Sequence, residues 1–191
     1  MIKSKNDYLH YLRQDKKALG ISNFSLKGQL VSILFPDPIW KFQKKLRKLE
    51  YFSNCKKNKI LFHIYWFSFK KYSLRLGFSI PLNVFGPGLA IAHYGTIVIN
   101  GNTRIGKNCR IHASTNIGAS GGDSKAPQIG DNVYIGPGAI IYGDIKIGNN
   151  IAIGANSTVN KSFEDNNILV AGSPAKKIKE IDITKIIKHL K

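Results

Sequence analysis

Two histidines, His93 and His112, stand nineteen residues apart in a stretch built mostly of aliphatic and small residues. A neutral imidazole accepts a proton near pH 7, so either ring could act as a general base. A histidine in such a stretch can equally be a core residue hydrogen-bonded to backbone, and both uses fit His93. His112 fits a group that orients an acceptor, and it fits an ordinary corner residue. Close behind them runs "GASGGDSKAPQ", residues 118–128, a glycine-rich polar loop in which Pro127 returns the chain to its frame. Loops of this kind on a rigid scaffold carry binding groups. Metal is a poor match: a catalytic zinc takes about three protein ligands, and no Cys, Asp or Glu is spaced to join the two histidines. His10, His63 and His189 lie outside any motif.

What must position these residues is a period of six. Ile99, Ile105, Ile111 and Ile117 are followed by Ile129, Ile135, Ile141, Ile147, Ile153 and Val159, all in one phase that only Asp123 breaks. One period back from Ile99 the series reaches His93, which places that histidine in an inward slot. Six is neither the helical nor the strand repeat, so it belongs to a larger unit. Glycine often follows the aliphatic (Gly106, Gly118, Gly130, Gly136, Gly148, Gly154), and four places on comes a small or β-branched residue such as Cys109, Thr115, Ala139 or Ser157. Each hexad reads as one short strand and a corner. Three hexads close a triangular coil, and stacked coils bury an aliphatic column that no single coil could bury. The phase expects coils over 84–163, with a loop at 119–128 that either replaces a hexad or adds one. If it replaces one, Gly118, Gly136 and Gly154 stack at one corner and leave an open strip of backbone for a long ligand arm.

The rest of the chain reads as mainly helical. The expected fold is mainly β: a parallel β-helix with a basic, α-helical segment at 1–83, and a turn and short helix at 164–191. Residues 1–20 look helical, Asp37-Pro38 can start a second helix, and a third covers about 58–76. Ile39, Phe42, Leu46 and Leu49 fall at helical spacing on the second; Leu61, Ile64, Phe67, Phe69 and Tyr72 are the apolar positions of the third. Ser173 and Pro174 suit a helix start near the end.

The chain carries 29 Lys+Arg against 11 Asp+Glu, and residues 1–75 hold 17 of the bases but only 4 of the acids. That imbalance fits a solvated lysine-rich surface, an anionic membrane, an acidic substrate or nucleic acid, though no nucleic-acid motif is present. Two cysteines, Cys55 and Cys109, make no disulfide framework and favour a reducing compartment. The N-terminal stretch lacks the apolar core of a signal peptide, and "ILFHIYWFSF" is too short to span a bilayer.

The stretches "GPGLAIAHYGTIVIN", "GASGGDSKAPQIGDNVYIGPGAIIYGDIKIG" and "AGSPAKKI" resemble the hexapeptide-repeat acyltransferases, and among them the serine acetyltransferase branch. The resemblance covers Phe85 to Ile178 and implies a left-handed β-helix, acetyl-CoA as co-substrate without a metal, an O-acetyl product, a homotrimer and active sites between subunits. It makes His93 the catalytic base, with His112 as second candidate. It assigns CoA to Gly118, Ala119 and Ser120, then Gly136, Pro137, Gly154 and Ala155, with Lys176 and Lys177 at the phosphates.

The acceptor is where this sequence departs from that branch. Serine acetyltransferases hold their amino acid with an aspartate before the histidine and an Arg-His pair after "GGD". Here Ala92 precedes His93, and Ser124-Lys125 follow Asp123. An amino acid needs both charges and a sugar needs neither, so the expectation is a saccharide hydroxyl on a capsule, O-antigen or related surface glycan, free or lipid-linked. Tyr94, Asp123 and Lys125 are the substrate-binding candidates, with Phe85 and Tyr134 as further apolar surface. The resemblance places such work on the cytoplasmic side, and the basic, aromatic N-terminal region suits contact with an anionic membrane. Serine O-acetylation is the alternative, and a non-catalytic solenoid scaffold is the third reading.

Overall fold

Ser4 opens the first helix by accepting the Asp7 amide on its hydroxyl, and α1 runs Lys5–Ala18. The structure, a computed structural model, describes residues 1–21, 37–55 and 59–191. The Asp37 carboxylate accepts the amides of Ile39 and Trp40, and α2 follows over Pro38–Cys55. Residues 22–36 and 56–58, including the expected first residue of the third helix, Asn58, lie outside the described residues. Ile39, Phe42, Leu46 and Leu49 are all buried, as their spacing requires.

α3, Lys59–Leu76, turns a different side inward from the one expected. Phe69, Ser73 and Leu76 are buried and Phe62, Tyr65 and Tyr72 partly so, whereas Leu61, Ile64 and Phe67 are exposed. The helix is apolar nearly all round, so its own pattern selects no face. Contacts choose it: the Phe42 ring stacks on Phe69 with centroids 5.2 Å apart and meets Phe78 edge-on at 4.9 Å.

Fourteen short strands follow among the described residues. β1 Phe78–Ser79 lies beneath the first coil, which holds the Phe85 bridge, β2 Ala90–Ile91 and, stacked on β1, β3 Ile97–Ile99. Above it come β4 Arg104–Ile105, β5 Arg110–Ile111 and β6 Thr115–Gly118, then β7 Gln128–Ile129, β8 Tyr134–Ile135 and β9 Ile140–Tyr142. β10 Lys146–Ile147, β11 Ala152–Ile153 and β12 Thr158–Val159 form the top coil. Parallel pairing builds three walls, β1-β3-β6-β9-β12, β4-β7-β10 and β2-β5-β8-β11-β13, the last ending in the hairpin of β13 Ile168–Gly172 and β14 Ala175–Glu180. Every aliphatic in the six-residue series is buried, and so are the small slots at Cys109, Thr115, Ala139 and Ser157. At one set of corners Asn108, Asn132 and Asn150 take positive φ (57° each) and hand side-chain hydrogen bonds up the stack at 2.8 Å. Asn tolerates this left-handed backbone because its short amide bonds locally.

Two insertions change the register. Ile129 pairs with Ile147 eighteen residues on, but Ile105 pairs with Ile129 across twenty-four. The loop therefore adds six residues. In the first coil Ile91 pairs with Ile111, twenty residues on. The two extra residues widen the corner at 92–96, and the inward slot belongs to Ile91.

The segment after Val170 is not a helix. Ser173 and Pro174 turn a hairpin, and β14 pairs antiparallel with β13, with Ala175 buried against the core and Lys176–Glu180 in water. Helical turns come later, as 3-10 turns at Ile183–Lys185 and Lys188–Leu190, and Ile183 and Ile187 pack on Ala152, Tyr134 and Leu169.

A buried charge cluster joins helices to coils. Arg47, fully buried, donates to Asp15 of α1 at 2.8 Å, to Glu50 at 3.0 Å, and to the carbonyls of Phe85 and Gly86 at 2.9 and 2.7 Å. Asp15 also accepts the amides of Gly88 and Leu89, both at 2.9 Å. Burial alone would lower the guanidinium's pKa; Asp15 and then Glu50 outweigh it and hold the group charged.

Candidate active site

Each coil turns three corners, and the chemistry collects at the corner between the β2-β5-β8-β11 wall and the β3-β6-β9-β12 wall. Up this edge the register stacks Ala92, His112, Gly136, Gly154 and Ala171. His93 is in the widened corner beside Ala92 and is exposed, against the expected inward slot; the two extra residues push it out of the phase. Its ring stands 5.9 Å from that of His112, centroid to centroid, and His112 stands 5.1 Å from Tyr134. Nineteen residues of sequence thus bring both histidines to one edge.

The two rings differ in setting. His112 is half-buried, and its Nε2 is out of water with no hydrogen-bond partner among the described residues. Burial first, then Arg110 and His93, lower its pKa below the ordinary value. The ring is therefore neutral at pH 7, and neutral imidazole is the form that accepts a proton or hydrogen bond. Arg110, two residues before His112 on the outward side of β5, has no counterpart among the candidates read from sequence; the alternation in "RIH" was its only signal.

Above His112 the edge carries almost no side chain. A Cβ on Gly136 would come within 2.8 Å of the Ile153 carbonyl and the Ala155 amide, so close coil packing requires glycine there. Pro137 and Ala155 lie exposed beside this column. Its amides are not free, however: Gly136 donates to Ile153 at 2.9 Å and Gly154 to Val170 at 2.8 Å, so the ladder consumes donors expected to face a ligand. Lys176 pairs across the hairpin with Ala171, at the top of the same edge, while Lys177 faces Asp165 at 3.5 Å.

Gly118, Ala119 and Ser120 do not share that edge. With the loop adding six residues, Gly118 pairs with Tyr142 at the next corner, across the width of the β6 wall, about 10 Å away at the usual rise per strand residue. The single glycine strip is thus corrected to two edges. Lys125 reaches Asp144 at 2.8 Å, a bond that raises its pKa, and the Asp123 carboxylate accepts the Lys125 amide at 3.0 Å. Tyr94 is 69% exposed beside His93, whereas Phe85 is buried and offers no surface. Among the described residues, no group of three or more His, Cys, Asp or Glu is arranged to hold a metal, and no helix is long and apolar enough to cross a membrane.

The family described as bacterial transferase hexapeptide (six repeats) matches residues 126–161. That match covers the upper coils, from β7 to β12. Serine acetyltransferase from Staphylococcus aureus strains is 38% identical over 97 residues, which are 50% of this chain and 45% of that protein. The Mycobacterium tuberculosis enzyme of that name is 36% identical over 92 residues, 47% of this chain and 40% of its own. The chain thus spans less than half the length of these curated relatives. Serine acetyltransferase from Brucella abortus strain S19 superposes with a TM-score of 0.74 at 25% identity, over 94% of this chain and 72% of that one, and its complex with coenzyme A superposes with 0.73 over 93% and 70%. The hexapeptide-repeat coils share the left-handed winding of this fold.

Proposed function

We propose that this hexapeptide-repeat protein transfers an acetyl group from acetyl-CoA to a hydroxyl, with His93 as general base and His112 beside it. The single observation that carries the reading is the histidine pair at the foot of a bare edge. The acceptor oxygen attacks the thioester carbonyl carbon as an imidazole nitrogen takes its proton. The tetrahedral intermediate collapses, the carbon–sulfur bond breaks, and the thiolate recovers the proton from the imidazolium. Gly136, Pro137, Gly154 and Ala155 leave room along the edge for the pantetheine arm, and Lys176 stands where its phosphates would end. The complex of the Brucella relative with coenzyme A supports that donor.

A homotrimer completes the site in this reading. Of the three walls, one is covered by the C-terminal turns and one presents Arg104, Gln128 and Lys146. The β3-β6-β9-β12 wall is bare and exposes Val98 and Ile140, so it is the wall suited to pack on another copy. Gly118, Ala119 and Ser120 border it on one side and His112 on the other, so packing there brings the two edges of different copies together.

Serine is the acceptor that the named relatives favour. A saccharide hydroxyl is the second reading, and a specific observation favours it: Lys125, the cation of the loop, is paired with Asp144 instead of waiting for a carboxylate. Thiol release from acetyl-CoA separates the two. Turnover with millimolar serine supports the first; turnover with surface-polysaccharide oligosaccharides alone supports the second. Release with neither acceptor overturns the transferase reading.

A further inference from the structure

The side of α3 that faces away from the core is more apolar than a solvated helix tolerates. Ile60, Ile64, Phe67 and Leu74 follow one another at helical spacing and are 76, 60, 70 and 84% exposed. Large apolar side chains scattered singly need no account; four in one stripe along a single helix do. The stripe is edged with cations on both flanks. Lys70 lies over the Trp66 ring on one side, at 5.7 Å from its centroid. On the other, Lys45 donates to Ser68 at 2.7 Å and lies over Tyr72, bringing the lysine row of α2 (Lys41, Lys44, Lys45, Lys48) alongside. Lys71 is exposed within the stripe itself, where a long stem can lie on apolar surface while its ammonium reaches a polar layer.

We propose that this face docks the protein on an anionic lipid surface, the helix lying in the headgroup plane with Ile60, Ile64, Phe67 and Leu74 in the acyl boundary. Charge decides between lipid and a second copy of this chain. α3 has four basic residues, Lys59, Lys70, Lys71 and Arg75, and no acidic one. Two such faces brought together would oppose like charges, whereas an anionic bilayer neutralises them and takes up the apolar stripe as well. The inference is independent of the acetyl-transfer reading, because it concerns neither histidine.

Co-sedimentation of the full chain with vesicles tests it. Vesicles with about one-third phosphatidylglycerol in phosphatidylcholine should bind the protein at least tenfold better than phosphatidylcholine alone, and added salt should weaken the binding. The double variant Ile64→Glu/Phe67→Glu changes only exposed positions, so it should fold, as circular dichroism can check, and should lose about tenfold or more in partitioning. Lys70→Glu/Lys71→Glu should lose binding to the anionic vesicles selectively. The proposal is overturned if the wild-type chain ignores anionic vesicles or if the apolar double variant binds as well as wild type. It is also overturned if that variant abolishes concentration-dependent assembly while vesicle binding never occurs, since the face would then cover another copy.

Discussion

The coils and the helices are held by opposite strategies. In the coils the same contact recurs: each aliphatic of the series sits over its equivalent in the coil below, and cohesion is spread over many near-identical steps. The helices have no such repeat. Beyond the aromatic contacts around Phe42, their charged connection to the first coil centres on one guanidinium, Arg47, which joins Asp15 of α1 and Glu50 of α2 to the Phe85 and Gly86 carbonyls, while the two carboxylates accept the amides of Gly88, Leu89 and Asn83. A distributed core should absorb a local loss, and a concentrated junction should not.

Arg47→Ala should have the largest effect. It leaves Asp15 and Glu50 buried without their partner, a loss of about 3–5 kcal/mol. Both tryptophans, Trp40 and Trp66, lie in the helices. Tryptophan fluorescence should therefore lose its urea midpoint ahead of the far-ultraviolet β signal; coincident transitions would show that helices and coils unfold as one unit. Ile135→Ala makes a cavity in the column and should cost about 2–5 kcal/mol, moving the β signal at least as far as tryptophan fluorescence. If only the fluorescence moves, the coils do not carry their own stability.

The smallest expected effect is that of pH. Burial, with Arg110 and His93 for His112 and with Lys17 and Arg110 for His189, holds both imidazoles below the ordinary value of 6.5. Each binds fewer protons folded than unfolded, so stability should fall as pH drops through that value. A melting temperature lower by about 1–2 °C at mildly acid pH is expected, with a shallower decline in His189→Gln. A curve that rises on acidification would contradict the assignment.

How much of this was legible follows from the arithmetic of the repeat. The burial of Ile105, Ile111, Ile135 and Ile153 was readable because a locked phase admits one inward side. The loop's six extra residues were invisible because an insertion of one full period leaves the phase unchanged; only the pairing of Ile105 with Ile129 reveals it. The two extra residues at the first corner misled the extrapolation to His93, although Ile91 already marked the slot. That both histidines share an edge was within reach of the sequence. The Arg47 cluster was not: nothing in "KKLRKLEYF" distinguishes the one buried base from its solvated neighbours, since the selecting partner, Asp15, is in another helix. For α3 an apolar circumference hid the packed face, and with it the exposed stripe.

Acetyl transfer at the histidine edge stands or falls with the initial rate of thiol release by His93→Ala. The ring is exposed at a corner, so its loss should leave the fold and the thermal shift produced by acetyl-CoA unchanged. Turnover should fall by about a hundredfold or more, the usual cost of a missing general base. A His93→Ala protein that turns over at the wild-type rate would contradict the account.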